Sequence, residues 1–162
     1  MRPSPTAEDA SPRVPWLSLV LGFGPMLPLV AGAVAAWALG GAARTLVLTL
    51  TLLWAAAILT FLAGVRRGLS FRTPGGPTVV QIATMTVLFG LGFSALLGLT
   101  AGRPALATGL LLAGYGLVAL LDPLAARSGE APRHFARLRP VQIPLALVSL
   151  AALLVLEVAG PA

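Results

Sequence analysis

Few side chains in this 162-residue chain could carry chemistry. There are eleven arginines and no lysine, five acids, a single histidine and no cysteine. Two of the acids, Asp122 and Glu157, stand at the ends of long apolar runs. The arginines gather at Arg66, Arg67 and Arg72, and in the stretch Pro132-Arg133-His134-Phe135-Ala136-Arg137-Leu138-Arg139. Asp122 and His134 beside Arg66 and Arg67 would suit a lipid-modifying enzyme working at a membrane interface. That is the weakest reading, because no G-x-S-x-G, P-loop, H-E-x-x-H or paired-carboxylate constellation is present. A lone histidine excludes a multi-histidine metal or haem site. Without cysteine there are no disulfides, no thiol redox chemistry and no Cys-ligated metal. No catalytic residue, cofactor or metal site is assigned.

The elements that would position these groups follow from composition. The chain is 57% hydrophobic and 10% charged, with mean hydropathy +0.94. Soluble domains are about a quarter charged, and a chain this apolar has too little polar surface to cover itself in water. A bilayer removes the difficulty. Net charge is +6 and the pI about 11.8. The arginines lie beside apolar segments, so the partner expected for them is the anionic headgroup layer on the cytoplasmic side, not nucleic acid. Complete use of Arg in place of Lys, with abundant Ala, Gly and Leu, reads as a GC-rich bacterial genome.

Five spans are predicted, at about 16–39, 45–65, 78–99, 105–121 and 141–158. Residues 1–15, polar and proline-rich, read as a disordered cytoplasmic tail. The first apolar run exceeds the 7–15 residues of a signal-peptide core, so an uncleaved anchor is expected. Pro25 and Pro28 lie within it and predict a kink accommodated by neighbouring helices. Pro74-Gly75-Gly76-Pro77 blocks helix after the second span, and Asp122-Pro123 is expected to end the fourth.

If all five segments cross, Arg2, Arg13, Arg66, Arg67, Arg72, Arg127, Arg133, Arg137 and Arg139 share one side and only Arg44 and Arg103 take the other. Positive loops stay in the cytoplasm. The expected fold is therefore all-α: an integral membrane bundle of five transmembrane helices, N-terminus cytoplasmic and C-terminus extracytoplasmic, in a bacterial inner membrane. The same topology pairs Asp122 with Arg66 or Arg67, and Glu157 with Arg44 or Arg103. No ionisable group is expected at mid-membrane depth, where it would mark an ion path.

Small residues recur at helical spacing: Gly32, Ala36 and Gly40; Ala56, Thr60, Gly64 and Gly68; Ala83, Thr86, Gly90, Ser94 and Gly98; Ala105, Gly109 and Ala113. Small residues let helix backbones approach closely in lipid, and internal packing of the bundle is expected of these stripes, with a dimer face as the alternative. The segment 132–139 predicts a short interfacial helix, with Phe135 and Leu138 on its apolar face.

At Leu59-Thr60-Phe61-Leu62-Ala63-Gly64-Val65-Arg66-Arg67-Gly68-Leu69 the chain resembles the family catalogued as domain of unknown function 3429, which includes transmembrane protein 69. Phe61, Leu62, Gly64 and Gly68 match that family's S-F-L-G-G-x-x-W-G pattern, and Arg67 replaces its Trp. Leu27-Pro28-Leu29-Val30 is similar to its I-P-F segment, and 132–139 to its P-x-W-Y-x-x-L-R stretch. The resemblance covers about residues 16–158. It implies a small multi-pass protein of bacterial inner or mitochondrial membranes and supplies no activity.

The expected function is that of a non-enzymatic membrane protein: a scaffold, accessory subunit or assembly factor, with other membrane protein subunits as its expected partners. The alternative is a small transporter or channel using the Pro25/Pro28 break in the first span and the Gly64–Gly68 end of the second, which a polar cavity touching Thr60, Thr86 or Gln81 would favour. The candidate functional or lipid-contact surface is Gly64, Arg66, Arg67, Gly68, Asp122, Arg133, His134, Arg137 and Arg139.

Overall fold

The computed structural model describes residues 16–71, 73, 75–127 and 135–159. These form helices α1 (Trp16–Phe23), α2 (Leu27–Ala38), α3 (Gly41–Ser70), α4 (Val79–Thr100), α5 (Pro104–Arg127) and α6 (Phe135–Ala159). There is no strand among the described residues. Helices α3 to α6 each carry a stretch long and apolar enough to cross a membrane, and a shorter apolar helix covers Gly24–Ala38. The chain is a helical, multi-pass membrane bundle. Its outer surface supports this: Val79 is 85% exposed, Val148 69%, Leu120 67% and Phe61 64%. Water would penalise these side chains and acyl chains would not.

Helix α1 and helix α2 are joined by a single 3₁₀ turn, Gly24–Met26, in which Pro25 occupies an early position. Pro28 stands in the first turn of α2. A proline there removes a donor that the helix end would leave unpaired in any case. The expected kink is thus a local tightening, and Phe23, Met26 and Leu27 all keep right-handed helical angles. The break is braced from both sides. Gln142 of α6 donates its amide to the carbonyl of Gly22, and the indole of Trp54 on α3 donates to the carbonyl of Pro25 at 2.9 Å. Neighbouring helices satisfy the disturbed backbone, as a bilayer without water requires.

Consecutive helices α3, α4, α5 and α6 pack side by side, and α2 packs against both α3 and α6. Gly22 meets Gln142, and further along Trp37 donates to the carbonyl of Ala152 at 3.1 Å. The α1–α2 unit therefore runs parallel to α6 along the bundle. From Trp16 to Ala38 the unit has 23 residues, about 34 Å of helix at ~1.5 Å per residue. That matches a hydrocarbon core of about 30 Å.

Three helices run past the expected span limits. Helix α3 has 30 residues, about 45 Å. Arginine is a good helix former, so charge ends the apolar span without ending the helix. The helix ends at Ser70, and the connection to α4 then turns at Gly75 and Gly76, whose φ values of +84° and +97° a side chain resists. Helix α5 continues through Pro123 to Arg127, so Asp122-Pro123 does not end the helix, although its apolar stretch closes at Leu124. Residues 135–139 do not form a separate interfacial helix; they are the first turns of α6, continuous through Pro140 and Pro144. Pro132–His134 lie outside the described residues.

Glycines mark where the helices touch. A Cβ on Gly32 would stand 2.0 Å from Thr51 Oγ1, on Gly92 2.7 Å from Thr60 Cγ2, and on Gly114 2.3 Å from Leu59 Cδ2. These close approaches join α2, α4 and α5 to α3. Of the expected stripes, Ala36 and Ala56 are buried as anticipated. Most of the α4 stripe is not: Ala83, Thr86 and Ser94 are exposed, while Leu88, Gly92, Ala95 and Gly98 form the buried face. On α5, Ala105 and Gly109 are half-exposed and Ala113 exposed, and the core positions are Ala107, Leu111, Gly114 and Tyr115. On these two helices internal packing keeps Gly98 of the expected small residues and otherwise uses different ones.

Candidate functional site at the Arg66 end

The antiparallel run of α3, α4, α5 and α6 brings the C-terminal ends of α3 and α5 to the same end of the bundle. There Arg66 meets Asp122. Nη2 lies 2.6 Å and Nε 3.1 Å from the same oxygen, Oδ1. The side chains are 17% and 10% exposed. Of the two expected pairings for Asp122, the structure forms the one with Arg66. Both guanidinium bonds converge on one carboxylate oxygen, a charge-assisted contact joining helices 56 positions apart in sequence.

Arg67 points elsewhere. Its guanidinium carbon lies 4.1 Å from the centre of the Phe71 ring, and Nη1 donates to Ser70 Oγ at 3.1 Å. Ser70 in turn donates to the carbonyl of Arg67 at 2.7 Å. The guanidinium is folded onto the last turn of its own helix, where a cation also suits the carbonyl end of the dipole. Gly64 and Gly68 are exposed, and a Cβ on either would meet nothing within 4 Å. Among those of the nine anticipated surface residues whose side chains are described, Arg66 and Asp122 are brought into contact. Arg133 and His134 lie outside the described residues. Arg137 and Arg139 belong to the first turns of α6, with side chains outside the description.

Beside this pair the α3–α4 connection is closed by a small polar cluster. Thr78 caps α4 by accepting from the backbone of Gln81 at 3.2 Å, and Gln81 Oε1 accepts from the Thr78 backbone at 3.1 Å. The Gln81 amide also donates to Thr73 Oγ1 at 3.1 Å. This reciprocal arrangement is a capping box. Gln81, expected near the start of the third span, is the residue that closes this cap.

At the opposite end Glu157 does not pair with Arg44 or Arg103. Its Oε1 accepts from Thr108 Oγ1 at 3.2 Å, and its Oε2 is buried with no hydrogen-bond partner. Thr108 also lies 3.0 Å from the carbonyl of Pro104. Glu157 falls in the last turn of α6, near the end of the apolar stretch Pro140–Ala159 and not at mid-span. Between the two ends, the only tyrosine of the chain, Tyr115, is fully buried and donates to the carbonyl of Ala55 at 3.0 Å.

Tyr115, Gln142, Trp54, Trp37 and Thr108 are the interhelical polar groups that sequence reading missed. A signal was present for Tyr115 and Gln142, since each is a polar group in an apolar run and must find a partner in lipid. The partner itself, a backbone carbonyl on another helix, has no sequence signature. Chemically the arrangement fastens helices together. Thr60 and Thr86 return their hydroxyls to their own helices, at the carbonyls of Ala56 and Ala57 and of Ile82. No group of three or more acids, histidines or cysteines that could hold a metal ion occurs among the described residues. No family model, curated protein or solved structure matches the chain.

Proposed function

We propose that this chain is a non-enzymatic protein of a bacterial inner membrane that serves as a scaffold, accessory subunit or assembly factor of a larger membrane complex. The observation carrying this reading is where the interhelical polar groups go. Arg66–Asp122, Tyr115–Ala55, Gln142–Gly22, Trp54–Pro25 and Trp37–Ala152 each tie one helix to another. A catalyst or carrier would aim several polar groups at one cavity. The exposed Ala83, Thr86 and Ser94 of α4, with Gly90 between them, add support. They offer an outward face on which a partner helix could approach closely. The likeness of Leu59–Leu69 to the domain of unknown function 3429 family is part of the same proposal.

In the proposed orientation the Arg66 end faces the cytoplasm and the Arg44 end the exterior. Arg66 and Arg67 stand at one end with the start of α6, and Arg44 and Arg103 at the other, which suits the positive-inside rule. Absence of cysteine makes the test direct. A single cysteine at Gly75 should react with a membrane-impermeant maleimide only after the membrane is opened from the cytoplasmic side, and one at Gly102 without opening. For function, a cysteine at Gly90 or Ser94 should crosslink to another membrane protein in native membranes, whereas one at Leu120 should not. Recovery of only a monodisperse monomer with no crosslinked partner would overturn the proposal.

The transporter or channel reading is favoured by one observation, the unpartnered oxygen of Glu157 inside a span. Flux of ions through reconstituted protein that disappears in Glu157→Gln would establish it.

A further inference from the structure

The hydroxyl of Thr108 has two oxygens within reach. The Pro104 carbonyl, one turn back on α5, lies 3.0 Å away, and Glu157 Oε1 on α6 lies 3.2 Å away. A threonine hydroxyl has one proton to give. An ionised Glu157 could only accept, as the Pro104 carbonyl does, so both would compete for that proton. One of the two close oxygen pairs would be left without a hydrogen. Glu157 Oε2 is buried and has no partner either. The charge would then stand in an apolar stretch on one hydrogen bond at most.

No cation among the described residues pairs with Glu157. Helices α1 and α2, which pack against α6, carry no charged residue. On α5 the charged groups, Asp122 and Arg127, lie at the far end of the helix. Arg103, just before α5, does not reach the carboxylate, and the arginines of α6 itself, Arg137 and Arg139, lie in its first turns.

One added proton satisfies both oxygen pairs. Placed on Oε1, it is donated to Thr108 Oγ1, and Thr108 is free to donate to Pro104. Oε2 becomes the carbonyl oxygen of a neutral acid, which costs far less to bury than a charge. A hard metal cation such as calcium or magnesium takes about six or more oxygens. Here the side chains offer the two of Glu157 and the one of Thr108, and Oε2 is already closed off. A proton needs no such room.

We propose that Glu157 is a proton-binding site: it is held as a neutral carboxylic acid and donates from Oε1 to Thr108, which donates to the Pro104 carbonyl. The chain of donors fastens the last turn of α6 to the first turns of α5. It stands whether the protein is a scaffold or a carrier, since it requires no flux.

The test is infrared spectroscopy of the full chain at neutral pH in a maltoside detergent, which has no carbonyl of its own. The difference between wild type and Glu157→Gln should contain the carbonyl band of one protonated carboxyl and no carboxylate bands. Deuterium oxide should move that band to lower frequency as O–H becomes O–D. Thr108→Val should keep the band and move it to higher frequency, because the acid loses its acceptor; Thr108→Ala provides the same deletion should Thr108→Val not fold. Glu157→Gln should unfold at the wild-type midpoint, its amide N–H replacing the acid O–H on Thr108. Carboxylate bands in the difference spectrum, or an acid band that folded Thr108 variants leave in place, would overturn the proposal.

Discussion

Gly114 and Gly116 lie two residues apart on α5 and should respond to alanine with opposite sign. A Cβ on Gly114 would stand 2.3 Å from Leu59 Cδ2 and 3.2 Å from Cδ1, with Leu59 itself fully buried. Ordinary contact begins near 3.5 Å, so α3 and α5 must separate by about an ångström or Leu59 must leave its rotamer. Overpacking of this kind costs about 1–3 kcal/mol. A Cβ on Gly116 meets nothing within 4 Å. There the change should be neutral or favourable by up to about 1 kcal/mol, the helix-propensity gain of Ala over Gly. Shortening Leu59 to Ala should cost about 2–5 kcal/mol alone. The methyl introduced by Gly114→Ala would then occupy part of the vacated space, so Gly114→Ala with Leu59→Ala should cost less than the sum of the two. The coupling expected for touching residues is about 0.5–3 kcal/mol. Reversible unfolding by SDS in mixed micelles, followed by circular dichroism, measures all four corners of the cycle. Equal effects at Gly114 and Gly116, or strictly additive behaviour with Leu59→Ala, would refute the close α3–α5 approach.

Other changes follow the same reasoning. Asp122→Ala should destabilise by about 3–5 kcal/mol, because it leaves Arg66 largely buried without its carboxylate, whereas the double replacement Arg66→Met with Asp122→Leu should recover most of that loss in the same unfolding assay. Glu157→Leu should leave the unfolding midpoint unchanged or raise it, since it removes a buried oxygen that has no partner while Thr108 keeps the Pro104 carbonyl as acceptor; a large loss would show that Glu157 holds something more than Thr108. Gln142→Leu should cost about 1 kcal/mol, the typical worth of an interhelical hydrogen bond in lipid, and should speed hydrogen exchange in α1 more than in α4 or α5.

The Arg66–Asp122 contact was legible in the sequence because topology alone sets it. Once the helices alternate direction, the ends of α3 and α5 share a level, and opposite charges at one level in lipid seek each other. The Pro25/Pro28 distortion was legible for a similarly local reason. Which face of a helix turns inward was not. In water a core face is apolar and an outer face polar, but here both are apolar and the usual contrast vanishes. On α4 the set Ala83, Thr86, Gly90 and Ser94 and the set Leu88, Gly92, Ala95 and Gly98 both consist mostly of small residues, yet only the second is buried. The shape of the neighbouring helix chooses between them, as Thr60 does for Gly92. The pairing of Glu157 failed for a different reason. Charge and level pointed to an arginine, but Thr108 on α5 lies nearer on the packed surface. Thr78-x-x-Gln81 was a readable capping signal, masked by the apolar residues that make Gln81 look like a polar group within a span.

The contact between Gln142 and the Gly22 carbonyl also dictates an order of events during synthesis. The two residues are 120 positions apart, and the donor lies on α6. A ribosome feeding this chain into a membrane delivers α1 first and α6 after every other described helix. Throughout that interval the carbonyl of Gly22 lacks its final partner, and α2 lacks one of the two walls it ends against. Of the described helices, α1 is therefore among the last to be finished. Until α6 arrives, α1 is a provisional insertion, and any factor that shelters unfinished membrane proteins would find exposed backbone at Gly22.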